Sequence, residues 1–199
     1  MKKVFRILGI AVFAVAMSFT TPSEKKLIVI DAGHGGHDIG ATHGFHNEKK
    51  ITSNIAKKIK GLNTGDKVEI VLLRDTDNFK SLTDRVDEIN KLNADLVISL
   101  HVNKNANESA SGVEAYVSEE NSKYEVSKAH AEELVSILST EKIKSRGVKT
   151  APFMVLKKSK TAAVTLELGF LSNSNDREYL ISDQGQNEIA SKISSYLNK

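Results

Sequence analysis

The sequence predicts a single α/β domain, in which about six strands form a sheet with helices on both faces. Short apolar runs, typical of parallel strands buried on both faces, alternate along the chain with segments of helical periodicity. The 199 residues show no internal repeat, no low-complexity stretch and no second domain. These observations favour one layered domain.

The strands are predicted from short runs rich in aliphatic residues. The first run leads into Asp31-Ala32-Gly33, and the last contains one acidic residue, Glu167, between two leucines. The six predicted strands are 27–30, 68–73, 94–100, 112–117, 153–156 and 162–170.

Four helices are predicted from apolar residues that recur on one face. Glu48 opens the first helix, whose apolar positions have helical spacing at Ile51, Ile55, Ile59 and Leu62. Ser81 and Asp84 form a candidate capping box ahead of the second helix, at 82–89. The last two helices are predicted at 129–143 and 188–197.

The amino terminus has the three parts of a secretory signal peptide. Lys2, Lys3 and Arg6 precede an uncharged run, 7–19, which small and polar residues follow. An uncleaved membrane anchor is the alternative, but the apolar run is short for a membrane span. We therefore predict a signal peptide over 1–20, a short linker over 21–26 and a folded domain over 27–199. The mature protein is expected in the periplasm or outside the cell, without stable membrane insertion.

Composition and charge exclude several functional classes. The first 18 residues hold three of the 28 basic residues and no acidic one, so the rest of the chain carries 25 charges of each sign. A balanced surface offers no field that would concentrate nucleic acid or anionic lipid, and no nucleic-acid partner is predicted. Because the chain has no Cys, any metal must be held by His, Asp or Glu.

The histidines indicate a candidate metal site. His34 follows the first predicted strand, and His101 ends the third. Ligands in open α/β sheets gather at the carboxyl ends of strands, so these two side chains are expected to converge. The alternative is a solvated loop whose histidines bind nothing. The other four are expected in the outer loop or on a helix surface: His37, His43, His46 and His130.

Two glutamates each have a structural and a functional interpretation. At the start of a helix, Glu48 complements the helix dipole, or it supplies a third ligand to the same metal. Glu167 lies in a predicted buried strand, where a carboxylate is costly unless it is paired, protonated or near a metal. A salt bridge to Arg74 or Arg85 is the structural explanation. A general base acting on water beside the metal is the functional one.

A series of short motifs extends from residue 27 almost to the C-terminus. They are Ile30-Asp31-Ala32-Gly33-His34-Gly35-Gly36, Asn47-Glu48-Lys49, Leu73-Arg74-Asp75-Thr76-Asp77, Ser81-Leu82-Thr83-Asp84-Arg85-Val86, Ser99-Leu100-His101-Val102-Asn103 and Glu167-Leu168-Gly169-Phe170-Leu171-Ser172-Asn173. In this order, they resemble the zinc-dependent N-acetylmuramoyl-L-alanine amidases of the Amidase_3 type. Ala32 and Ala162 stand where that family often has Pro, and neither is a candidate ligand.

The resemblance implies a fold, a reaction and roles for individual residues. His34, Glu48 and His101 would bind one Zn²⁺ per chain, and Glu167 would be the catalytic glutamate. Asn103 is assigned to substrate binding. The implied fold is a mixed, mostly parallel sheet flanked by helices. The implied reaction is hydrolysis of the amide between N-acetylmuramic acid and L-alanine in peptidoglycan, with residues 27–199 as the catalytic domain.

Two other functions stay open at this point. One is a different zinc hydrolase of the same polymer, a peptidase or a deacetylase. The other is a wall-binding protein on an inactive amidase fold. We expect a monomer, because the chain has one balanced domain and no coiled-coil heptads. The roughly 35 residues after 112–117 leave no room for an inserted helix over the zinc, so open access is expected. An activator protein is neither required nor excluded by the sequence.

Overall fold

The structure is a computed structural model, and it describes residues 25–65 and 67–199. The predicted signal peptide lies outside these residues. The strands are β1 Lys26–Ala32, β2 Thr42–His43, β3 His46–Asn47, β4 Val68–Leu72, β5 Leu96–Asn103, β6 Val113–Val117, β7 Ser145–Thr150 and β8 Ala162–Phe170. The helices are α1 Glu48–Leu62, α2 Leu82–Leu92, α3 Tyr124–Leu138, α4 Met154–Lys158, α5 Ser174–Ile181 and α6 Asp183–Leu197. Within the described part, no helix combines the length and apolar character needed to cross a bilayer.

Six strands form one sheet in the order β4-β1-β5-β8-β6-β7. Every neighbouring pair is parallel except β6 and β8, which are antiparallel. The predicted α/β class with a mixed, mostly parallel sheet is therefore confirmed. β2 and β3 form a separate two-stranded ribbon in the connection between β1 and α1.

The two faces of the sheet differ in character. Alternate residues of β5, such as Ile98 and Leu100, join a large apolar core with residues of α1, α3 and α6. Val97 of β5 instead joins a smaller cluster with Val86 of α2 and Leu156 of α4. Because side chains alternate along a strand, the polar residues of β5 lie on the side of the smaller cluster. Helices cover both faces, as predicted.

The strand predicted at 153–156 is wrong. Residues 154–158 form the short helix α4, which buries Val155 and Leu156 in the smaller apolar cluster. The remaining strand of the six-stranded sheet is β7, whose residues are exposed or half-buried at the edge of the sheet. An edge strand covered on one side only needs no continuous apolar run, so its sequence lacks the pattern of a buried strand.

The carboxyl-terminal half also departs from the predicted helices. The third helix spans 124–138 and not the predicted 129–143. Lys123 precedes it without a side-chain cap, so no capping residue in the sequence marks where it begins. Its end precedes a turn in which the Thr140 hydroxyl accepts a hydrogen bond from the Ile143 amide. Helix α5 was not predicted, since its apolar residues have no helical periodicity. The last helix begins at 183, where the Ser182 side chain caps it, and not at 188.

Candidate metal centre

The site lies where the parallel strands β1, β5 and β8 end. Asp31, Ser99, His101 and Glu167 all belong to the face that carries the smaller apolar cluster. Register places His101 of β5 beside Glu167 of β8. A cleft of about 250 Å³ opens at this edge, between the loop after β1 and His101. Parallel strand ends therefore concentrate the polar residues at one opening.

Three side chains converge beside this cleft, two of which, His34 and His101, line it. His34 Nε2 lies 3.0 Å from Glu48 Oε2, and His101 Nδ1 lies 2.8 Å from Glu48 Oε1. One ligand atom from each residue falls within 4.8 Å of the other two. The predicted convergence of the two histidines is thus observed, and Glu48 lies between them.

Glu48 is held in place by its own backbone neighbourhood. It is the first residue of α1, after Asn47, whose side chain caps the helix by accepting from the Lys50 amide. Its Oε2 accepts a hydrogen bond from the Ala41 amide at 2.8 Å, and its Oε1 accepts one from the Val102 amide at 3.0 Å. Despite the opposing effect of burial, hydrogen bonds from both histidines hold the pKa of Glu48 well below its usual range.

His34 has an unusual backbone and a fixed ring. Its φ of 62° places it in the left-handed region, which few residues other than glycine adopt. Its Nδ1 donates to Asp38 Oδ2 at 2.8 Å, which leaves Nε2 facing Glu48. Burial opposes protonation, but Glu48 and Asp38 outweigh it and raise the pKa of His34 to about 9. The pKa of His101 is likewise raised by Glu48 against its burial.

Two buried arginines hold the loop that carries His34. Arg85 is paired with Asp31, and its Nη2 donates to the His34 carbonyl at 2.6 Å. Arg74 Nη2 donates to the Gly33 carbonyl at 2.8 Å and to the Lys49 carbonyl at 2.9 Å, which joins the loop to α1. Neither arginine contacts Glu167, so the salt bridge considered for that carboxylate is not formed.

The cluster meets the requirements of a divalent metal site. Two imidazoles and one carboxylate are a common ligand set for zinc that leaves one position open. The protons that now join the histidines to Glu48 are those that a bound cation displaces. A Cβ added at Gly40 would lie 2.4 Å from Glu48 Oε2 and 2.6 Å from His34 Cδ2, so only glycine leaves space for these two side chains.

Glu167 is half-buried beside the cluster, and the oxygen it buries has no partner of its own. Its Oε2 is a buried polar atom with no hydrogen bond, the only such side-chain atom in the described residues. Burial, assisted by the charges of Glu48 and Glu114, raises the pKa of Glu167 to about 7, against the opposing effect of His101. An unpaired carboxyl at this position is costly for folding and points to a role in chemistry.

Glu114 of β6, a buried glutamate next to Glu167, was missed by the sequence analysis. It lies directly across from Glu167 in the antiparallel β6–β8 pair and is 1% exposed. Asn103 Nδ2 donates to Glu114 Oε1 at 3.3 Å, so the residue predicted to bind substrate is hydrogen-bonded to this glutamate. Glu114 is the one acidic residue of an otherwise apolar strand, which is the same signal that singled out Glu167.

The remaining histidines do not join the metal cluster. His37 is exposed and stacks on Phe79, with ring centroids 4.2 Å apart. His43 and His46 lie on the β2–β3 ribbon. His130 was expected at the surface, but it is half-buried and hydrogen-bonded to the Tyr196 hydroxyl, because α3 packs against α6.

No inserted helix covers the cleft in the described residues between β6 and β7. That segment forms α3, whose buried residues Ala131, Leu134 and Leu138 belong to the large apolar core. The core lies on the face of the sheet opposite to Glu167. The expected open access to the site is consistent with this arrangement.

Comparisons with known proteins assign the fold and the family. The Amidase_3 family, described as N-acetylmuramoyl-L-alanine amidase, matches residues 28–199. The N-acetylmuramoyl-L-alanine amidase LytC of Bacillus subtilis is 36% identical over 169 residues, which are 83% of this chain and 34% of LytC. This chain therefore spans about a third of that relative.

Two solved structures are similar over most of their length. An N-acetylmuramoyl-L-alanine amidase from Clostridium difficile 630 has a TM-score of 0.82 at 30% identity, and the match covers 89% of this chain and 99% of that one. The CwlD amidase from Clostridioides difficile, solved in complex with the GerS lipoprotein, has a TM-score of 0.78 at 27% identity, covering 85% and 95%.

Proposed function

The chain belongs to the N-acetylmuramoyl-L-alanine amidase family, and from this premise we propose that it is an exported zinc hydrolase of peptidoglycan. It would cleave the amide that joins the lactyl group of N-acetylmuramic acid to L-alanine of the stem peptide. One observation carries the proposal. His34, Glu48 and His101 converge beside Glu167, whose buried Oε2 has no hydrogen-bond partner.

His34, Glu48 and His101 are proposed to hold one zinc ion per chain. The hydrogen bonds to Asp38, Ala41 and Val102 orient these side chains before the ion arrives. When bound, zinc would supply a Lewis acid for the scissile carbonyl and the attacking water. Ligands that are already oriented lose less conformational entropy when the ion binds.

Glu167 is the proposed general base and then general acid. Its carboxylate lies beside His101 at the strand ends, where it can take a proton from the attacking water and return it to the leaving nitrogen. The water oxygen bonds to the carbonyl carbon, the C–N bond breaks, and the nitrogen leaves as the free amine of L-alanine. No side chain among the described residues competes for Oε2 of Glu167.

The processing and the domain boundaries are part of the proposal. Residues 1–20 would be removed as a signal peptide, 21–26 would be a linker, and 27–199 would act as a monomeric catalytic domain. The leader sequence supports export. Export would bring the protein to its proposed substrate, since peptidoglycan lies outside the cytoplasm. Amino-terminal sequencing of the secreted protein tests the cleavage, and sedimentation tests the monomer.

The reaction is tested by digesting purified peptidoglycan with the mature protein. Mass spectrometry is expected to find peptides with a free L-alanine amine and glycan without peptide. A chelator is expected to abolish cleavage, and added zinc to restore it. Release of acetate or cleavage within the stem peptide would identify a deacetylase or a peptidase instead. Binding without products would indicate an inactive wall-binding protein.

A further inference from the structure

Two cations meet a single buried carboxylate at the edge of the site. Arg146 Nε and Lys149 Nζ each donate to Glu114 Oε2 at 2.6 Å. The other oxygen of Glu114 accepts from the Tyr116 hydroxyl at 2.9 Å and from Asn103 Nδ2. The carboxylate is thereby saturated with donors, and it fixes both cationic side chains in place.

The topology of the sheet brings this cation pair close to Glu167. β6 runs antiparallel to β8, and β7 is parallel to β6. The amino-terminal halves of β6 and β7, which carry Glu114 and Arg146, therefore lie at the same edge as the carboxyl-terminal ends of β5 and β8. Lys149 lies farther along β7, beside Tyr116, and its Nζ reaches Glu114 from there. Glu114 is directly opposite Glu167, and cross-strand neighbours have Cβ atoms roughly 5 Å apart.

The cluster has more positive charge than its own acid neutralises. One carboxylate balances one of the two cations, so the pair retains a surplus charge of one unit. The Arg146 and Lys149 side chains are 34% and 40% exposed, whereas the Glu114 side chain is 2% exposed. The excess charge is thus presented to solvent and not to the core.

The Arg146 guanidinium is also rigidly placed. Its carbon lies 4.9 Å from the centre of the Phe170 ring, and its Nη1 donates to the Ser111 carbonyl at 3.3 Å. Its Nη2 has no hydrogen-bond partner among the described residues. A guanidinium fixed on one edge and free at a nitrogen is suited to bind an anionic oxygen.

We propose that Arg146 and Lys149 form a subsite that binds a free carboxylate of the stem peptide, an assignment that rests on the proposed amidase function. In that substrate the lactyl carboxyl is consumed in the amide, so free carboxylates belong to the peptide side of the bond. The subsite would place the peptide over β6 and β7 while the scissile amide lies at Glu167.

The competing explanation is structural: the two cations would serve only to neutralise Glu114. The two explanations differ in one measurable respect. A neutralising role changes the stability of the protein and the cleavage of every substrate alike. A carboxylate subsite changes the cleavage of substrates that carry the carboxylate and spares those that lack it.

The experiment uses two soluble muramoyl peptides that are identical except that the peptide carboxylates of one are converted to amides. KM and kcat are measured for the mature wild-type protein, Arg146→Gln and Lys149→Gln. Lys160→Gln is the matched control, because Lys160 is an exposed cation just before β8 begins, at the end of that strand away from Glu167. Arg146→Gln and Lys149→Gln each leave Glu114 with one cationic partner, and the melting temperature of every variant is recorded.

For the free-carboxylate peptide, we expect KM to rise about tenfold in Arg146→Gln and in Lys149→Gln, as the loss of one charged hydrogen bond predicts. For the amidated peptide, KM should match that of the wild type, and Lys160→Gln should be unchanged with both. Equal effects on both peptides, or no effect on either, would overturn the subsite while leaving the amidase proposal intact. Failure of the wild-type zinc-loaded protein to cleave either peptide would overturn both.

Discussion

Replacing Glu167 with Gln is expected to separate stability from activity. The carboxyl has a pKa of about 7 in the folded protein against 4.5 as a model group, because it is buried near other carboxylates. A carboxyl whose pKa is raised by folding destabilises the folded state wherever it is ionised in the unfolded chain. The glutamine side chain has no such charge, so the variant should be the more stable protein.

The size of the effect follows from the two pKa values. Below pH 4.5 both states are protonated and Glu167 costs nothing. The penalty grows between pH 4.5 and 7 and reaches about 3 kcal/mol above pH 7. For a domain of this size, removing it would raise the melting temperature of the metal-free protein by up to about 6–12 °C. The same variant should lose about 100- to 10,000-fold in amide cleavage.

Glu114→Gln is the matched control for the stability measurement. Despite burial, hydrogen bonds from Lys149 and Arg146 lower the pKa of Glu114, so its charge stabilises the fold above its unfolded pKa. This stabilisation is lost as the pH falls. At neutral pH, Glu114→Gln should therefore melt at a lower temperature than the wild type, and Glu167→Gln at a higher one.

Melting curves of chelator-treated protein from pH 4 to 8, together with zinc content and amide cleavage of the zinc-loaded forms, provide the test. A Glu167→Gln variant that is folded, zinc-loaded and fully active would refute the role of general base. A variant that melts below the wild type at pH 8 would refute the argument from its unpaired burial.

Three further predictions concern the metal centre. His101→Ala should lose most of the bound zinc, measured by atomic emission after dialysis; full occupancy would contradict the ligand assignment. Gly40→Ala should weaken zinc binding while the rest of the fold persists, because the added Cβ meets Glu48 and because alanine disfavours the φ of 65° at this position. Zinc titration together with circular dichroism checks this. Arg85→Met should cost about 3–5 kcal/mol in denaturant unfolding, since Asp31 is left buried without its cation; a loss below 1 kcal/mol would show that the pair is dispensable.

Local patterns in the sequence carried much of the fold. The capping box predicted from Ser81 and Asp84 is formed at the start of α2. The buried apolar runs became the central strands β1, β5 and β8. His34 follows β1, and His101 lies two residues before the end of β5. These predictions succeeded because burial on both faces and helix capping each leave a signal within a few neighbouring residues.

Other features depended on contacts between distant segments. The sequence offered two interpretations of Glu48, and both describe the observed residue: it opens α1 and it lies between the two histidines. The path of the loop after β1, which brings the Ala41 amide to its carboxylate, is set by the tertiary structure and leaves no signal in the sequence. Likewise, strand order places Glu114 across from Glu167, although 53 residues separate them in the chain.

The sequence by itself thus determined the fold class, the candidate ligands and the anomalous position of Glu167 in an apolar strand. The tertiary structure alone decided that Arg74 and Arg85 hold the His34 loop and not Glu167, and that Arg146 and Lys149 gather on Glu114. The physical reason is that burial and periodicity are properties of one segment. The partner of a buried charge is set by strand order and register, which bring together residues from segments far apart in the chain.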